Sequence, residues 1–159
     1  MDSESAGRIT ALFQNPVFLS AVISLFVAQF AKVVISLYKG RSTSFRELAA
    51  HLLWRTGGMP SSHSALVISI VTAIGFSDGP GSDIFVLALA FALVVIRDAL
   101  GVRRAAGMQA TALNILGRQA SRKLKIPFKP VKEVHGHTVP QVIVGSFMGF
   151  FIGLAVCTL

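Results

Sequence analysis

Apolar residues fall in four runs, separated by loops that collect nearly all of the charge. The first run extends from Pro16 to Tyr38, and at about 1.5 Å per residue it is long enough as a helix to cross a hydrocarbon layer of roughly 30 Å. Gln29 and Lys32 interrupt it three residues apart and share one face. Either Lys32 extends its stem to the interface, or both side chains point into a polar site between helices, where ionisable groups of membrane spans usually face. The second run, from about Ser61 to Phe76, is short, so it must start within the headgroup layer or tilt very little. A third begins near Ile84. Its purely apolar part ends at Ile96, and a full crossing to Val102 carries Arg97 and Asp98 into the last turns. The fourth runs from Val139 to Leu159, with Gly145, Gly149 and Gly153 recurring every four residues as a face for close helix packing.

The connections differ in character. Residues 1 to 15 read as a polar lead with one short helical turn. Ser77 to Asp83 is a tight turn with acids and no bases. From Ala105 to Gln119, Met108, Ala112, Ile115 and Leu116 repeat with helical period, which predicts an amphipathic helix lying on the membrane surface. The pattern predicts an all-α polytopic membrane protein, with about four transmembrane helices plus an interfacial amphipathic helix, in a single membrane-embedded domain over residues 1–159.

Composition supports this reading. A chain that is 53% hydrophobic and 14% charged, with mean hydropathy +0.68, is too apolar for an ordinary soluble domain. The net charge of +8 does not point to nucleic acid, because the bases sit in loops beside apolar runs. Lys39, Arg41, Arg46 and Arg55 load the first loop, and Arg103, Arg104, Arg118, Arg122, Lys123, Lys125, Lys129 and Lys132 the third. Such loops mark the cytoplasmic side, which puts both termini on the opposite side, and the last six of these bases suit contact with anionic membrane lipid. Cys157 is alone, so no intramolecular disulfide forms. The first run is too long for a secretory signal and lacks a cleavage pattern, so it should remain as an anchor.

The distinctive stretch is Gly57-Gly58-Met59-Pro60-Ser61-Ser62-His63-Ser64-Ala65. Paired glycines let backbone N–H groups approach a ligand, Pro60 suits a helix opening, and Ser61 and Ser62 are good caps. His63 then lies in the first turn of the second span, beside unpaired N–H groups and the positive end of the helix dipole, a site for an anion such as phosphate. Thr138 can cap the fourth span, which puts His137 just outside its start. With both histidines on one side, two helix N-termini can converge on one anion, with Arg103 and Arg104 arriving from the end of the third span. Two histidines with bound cations suit phosphoryl transfer: one attacks phosphorus, the other protonates the leaving oxygen, and arginine holds the remaining oxygens. Glu133 and Asp98 are the acids available to orient His137. His135-x-His137 with Glu133 offers ligand types suited to zinc, but that spacing is too common to be specific, and no metal or other cofactor is expected. His51 and His135 read as capping or hydrogen-bonding residues.

GGMPSSHSA, followed by RDALGVRRAAGMQATALN and EVHGHT, resembles the divergent branch of the type 2 phosphatidic acid phosphatase and vanadium haloperoxidase superfamily. The resemblance implies an all-helical membrane protein and metal-independent hydrolysis of a phosphomonoester or diphosphate through a phosphohistidine. It implies phosphate contacts from Pro60, Ser61 and Ser62 and a leaving-group acid at His63, with Ser62 where better-known relatives have glycine. The Ser-Arg-x5-His-x3-Asp block of those relatives is absent, so His137 is the expected nucleophile by placement and by the branch's own Gly-His-Thr block. The resemblance also draws attention to Gln29, Lys32, Asp98, Arg103, Arg104, Gly107, Gln109 and Asn114.

The expected activity is hydrolysis of a lipid phosphate or isoprenoid diphosphate at the cytoplasmic face. His63, His137, Asp98 and Glu133 are the candidate catalytic set, and Lys32, Arg55, Ser61, Ser62, Arg103 and Arg104 the candidate substrate-binding set. The alternative is a catalytically inactive protein that binds or moves an anionic lipid with the same basic pocket. The expected partners are the lipid phosphate substrate and membrane lipids. The glycine face of the last span would also allow a homodimer.

Overall fold

A computed structural model describes residues 3–38, 40, 58–133 and 136–159. The described elements are helices α1 (Ser3–Gln14), α2 (Pro16–Tyr38), α3 (Ser62–Ser77), α4 (Asp83–Leu100), α5 (Val102–Leu124) and α6 (Val139–Thr158). The α2 helix, the near-continuous stretch Asp83–Leu124 and α6 are long and apolar enough to cross a membrane, and α3 is a shorter apolar helix. The interfacial helix anticipated over Ala105–Gln119 starts earlier and ends later, directly after Gly101.

The N-terminal lead is more ordered than its polarity suggested. It forms the 12-residue helix α1, because Ile9, Leu12 and Phe13 make a stripe at helical spacing. Phe13 meets Phe18 edge-on at 5.6 Å. Asn15 breaks the chain here, its Oδ1 accepting from the N–H groups of Val17 and Phe18 at 2.9 and 3.2 Å and so capping α2.

Small residues set the packing, as expected where lipid replaces water as solvent. The α2 helix buries Ser20, Ser24, Ala28, Lys32 and Ser36, one face repeating every four residues, and turns Phe26 and Phe30 outward. Ser24 Oγ meets Ser69 Oγ at 2.9 Å, and Lys32 Nζ donates to Ser62 Oγ at 3.0 Å. Rising numbers on α2 meet falling numbers on α3, so the two helices are antiparallel. On the other side of α3, a Cβ added to Gly145 or Gly149 would overlap the carbonyl oxygens of Ser61 or Ala65, and one added to Gly153 would come to 2.9 Å from that of Ser69. Both series advance by four, so α3 and α6 run parallel with their backbones in close contact. The glycine face is therefore packed within the chain against α3.

These directions place the C-terminal ends of α2 and α4 beside the N-terminal ends of α3 and α6. The His137 N–H donates to Ala99 O at 3.1 Å, and the Ser61 N–H donates to Gln141 O at 3.0 Å. Between α5 and α6 the chain returns along α5. The Asn114 side chain exchanges two bonds with the Val131 backbone, both at 2.8 Å. Phe128 covers Gly117 so closely that a Cβ there would overlap its ring. This return delivers Gly136 and His137 to the bundle end.

Candidate active site

The α3 helix begins where the sequence indicated. Ser61 is its N-cap, the Oγ accepting from the Ser64 N–H at 3.3 Å and the Ser64 hydroxyl at 3.0 Å. Pro60 precedes the cap rather than opening the helix. Ser62 and His63 are then the first two helical residues, whose N–H groups have no intrahelical acceptor by position. Thr138 is the N-cap of α6, and His137 lies immediately outside it. The His63 and His137 rings face one another at 6.4 Å between centroids, inclined by 60°, close enough for one tetrahedral anion to contact both. His137 is only 5% exposed, and His63 is half-buried.

Lys32 enters this site from α2. It is 7% exposed, and among the described residues Ser62 Oγ is its hydrogen-bond partner and no carboxylate answers its charge. A buried ammonium held this way is expensive, and its placement beside two helix N-termini gives it a use: an anion bound there would neutralise it. The interior reading of Lys32 is therefore the one the fold adopts. Gln29, one turn earlier, has a buried Oε1 without a hydrogen-bond partner among the described residues.

Arg103 Nε donates to Asp98 Oδ2 at 2.6 Å, with the two side chains 45% and 37% exposed. Arg103 and Lys32 lie within electrostatic reach of both histidines, and Asp98 within reach of His63. Arg104 is exposed, and its backbone rather than its guanidinium packs against Gly136, where a Cβ would overlap it. The structure thus brings Lys32, Ser61, Ser62, His63, Arg103 and His137 together, with Asp98 beside Arg103. Arg55, His51 and His135 lie outside the described residues.

Neither acid expected to orient His137 does so through a hydrogen bond to its ring. Glu133 is turned toward α5, its two oxygens accepting from Thr111 Oγ1 and Asn114 Nδ2 at 2.7 Å each, and Asp98 is paired with Arg103. The His137 Nδ1 instead faces Gln141 Oε1 at 3.2 Å. Gln141 is uncharged and so does not stand out in the sequence as an acid would. Its signal was the Thr138-x-x-Gln141 pattern, a capping box; its Oε1 does accept from the Thr138 N–H at 3.0 Å. Burial holds the His137 ring below the ordinary histidine pKa, reinforced by the Lys32 and Arg103 charges and opposed by the Gln141 bond and, more weakly, by the Gly58 backbone. A ring so placed is neutral near pH 7, as a nucleophile or hydrogen-bond acceptor must be.

The chain is similar to known membrane proteins. A family model described as "Divergent PAP2 family" matches residues 13–152. The uncharacterized membrane protein YuiD of Bacillus subtilis (strain 168) is 34% identical over 154 residues, covering 90% of this chain and 94% of that protein. No solved structure matches.

Proposed function

Given that the chain belongs to the divergent PAP2 family, we propose that this integral membrane protein is a single-domain lipid phosphatase, hydrolysing a lipid phosphate or isoprenoid diphosphate through a phosphohistidine. The observation that carries the reading is the buried ammonium of Lys32 at Ser62, with no carboxylate partner among the described residues, beside the rings of His63 and His137. The Nε2 of His137 attacks the terminal phosphorus as its bond to the leaving oxygen breaks, the lipid oxygen of a monophosphate or the bridging oxygen of a diphosphate, and His63 gives its proton to that oxygen. Water then attacks the phosphohistidine, the now neutral His63 takes its proton, and inorganic phosphate leaves. Lys32, Ser62, the first N–H groups of α3 and Arg103 hold the non-reacting oxygens. The basic loops lie on the cytoplasmic side and the termini opposite, so the headgroup is cleaved at the cytoplasmic face.

The test is phosphate release by purified protein from a panel of lipid phosphates and isoprenoid diphosphates in mixed micelles, with and without chelator, and with His63→Ala alongside. The proposal expects release that persists in chelator and falls about 10²- to 10⁴-fold in His63→Ala. Saturable binding of the same lipids without release would replace it with the anionic-lipid carrier reading, which the amide partner of His137 would suit.

A further inference from the structure

Gln141 touches both histidine segments. Its side-chain Oε1 accepts from the Thr138 N–H at 3.0 Å and lies 3.2 Å from His137 Nδ1. Its backbone oxygen accepts from Ser61, the N-cap of the helix that carries His63, at 3.0 Å. A backbone N–H can only donate, so the Gln141 atom facing Thr138 must be the amide oxygen rather than the NH₂ group. An amide oxygen can only accept, so the imidazole nitrogen facing it must carry hydrogen. In the neutral ring, the lone pair is then left on Nε2.

From this we infer that Gln141 is a positioning residue that fixes His137 as the Nδ1–H tautomer and leaves Nε2 free to attack phosphorus; the attack, though not the tautomer, rests on the proposed function. A histidine side chain in water prefers hydrogen on Nε2, which would block the attacking atom. The Gly58 backbone also bears on the ring, but the ring nitrogen with a hydrogen-bond partner is Nδ1, at Gln141. The choice of amide over carboxylate also matters. A carboxylate in this place would add a negative charge beside a ring whose charged neighbours are Lys32 from α2, Arg103 from α5 with its partner Asp98, and His63 from α3 when protonated. The amide selects the same tautomer without that charge.

The experiment uses full-length protein with ¹⁵N-labelled histidine in detergent micelles at pH 7.5. Long-range proton–nitrogen correlation spectra report which ring nitrogen carries hydrogen, and the His137 signals are assigned by their absence in His137→Asn. The wild type should show hydrogen on Nδ1. Gln141→Met keeps the side-chain length but has no comparable acceptor; it should move hydrogen to Nε2 and lower phosphate release by about 10²- to 10⁴-fold. Gln141→Glu accepts the same two bonds and should restore the tautomer and most of the turnover, with the acid limb of the pH profile moved to higher pH by the added charge. Hydrogen on Nε2 in the wild type, or an unchanged tautomer in Gln141→Met, would overturn the inference. The expected spectra from a protein that releases no phosphate would count against the phosphatase reading while upholding the role of Gln141.

Discussion

Replacing Lys32 with methionine should move stability and activity in opposite directions. The ammonium is 7% exposed, and its described hydrogen bond, to Ser62 Oγ, is 3.0 Å long. Losing that bond costs about 1.5–3 kcal/mol, whereas removing a charge that no described carboxylate compensates from so buried a place relieves a penalty of several kcal/mol. Methionine fills nearly the same volume. The empty protein should therefore be stabilised by about 1–3 kcal/mol, and at about 2–4 °C per kcal/mol for a chain of this size its unfolding midpoint should rise by several degrees. Substrate loses a charge-assisted contact worth about 1.5–3 kcal/mol, so kcat/KM should fall about 10- to 150-fold. Thermal unfolding in detergent and phosphate release from mixed micelles measure the two effects on one preparation. A variant that melts below wild type while hydrolysing at the wild-type rate would refute the reasoning, since Lys32 would then be a structural donor and no part of an anion site.

Further predictions concern the scaffold and the pH profile. Gly149→Ala drives a methyl group into the Ala65 carbonyl and should destabilise by about 1–3 kcal/mol; Gly81→Ala, where nothing lies within 4 Å, should leave the unfolding midpoint within a degree or so. Glu133→Gln can keep its oxygen on Asn114 and donate its NH₂ to the Thr111 hydroxyl, which then accepts, and should retain turnover within a few-fold, whereas Asn114→Ala unties the return segment at Val131 and should lower stability by about 1–3 kcal/mol. A Glu133→Gln protein as inactive as His137→Ala would reinstate Glu133 as a catalytic group. Because burial depresses the His137 pKa, the protonation that abolishes its lone pair should reach its midpoint below the ordinary histidine value of about 6.5, which centres the acid limb of kcat/KM there. The folded state then binds fewer protons than the unfolded, so the stability contribution of His137 is present above about pH 6.5 and is lost as pH falls through the folded value. An acid limb centred above pH 7 in the wild type would contradict the burial of this ring.

Much of the fold was legible because spans and caps are local. Pro16–Tyr38 was bounded by its proline and by the charge that follows, and Ser61 and Thr138 were recognisable N-caps. The four-residue glycine series announced a close helix contact but not its partner, since Gly145, Gly149 and Gly153 match Ser61, Ala65 and Ser69 only once the helices are parallel. The histidine pair was legible from the alternation of basic loops, which put two helix starts at one end. What the sequence withheld was nonlocal pairing. Glu133 stands one turn's spacing before His137, yet Asn114 and Thr111 from α5 claim its carboxylate, and an amide that doubles as a helix cap takes the ring nitrogen instead. The lead is a three-turn helix over Ser3–Gln14 rather than a single turn, because its polar residues share the segment with a stripe of Ile9, Leu12 and Phe13 on one helix face.

The phosphohistidine is the central claim, and rapid-quench trapping addresses it most directly. Purified protein mixed with substrate labelled at the transferred phosphoryl group and quenched within one turnover should yield labelled protein that is stable to base and labile to acid. The label should persist in His63→Ala when the leaving group needs no proton, as with a nitrophenyl phosphate, and should be absent from His137→Ala. Label retained in His137→Ala, or wild-type turnover with no labelled protein at any quench time, would contradict the account.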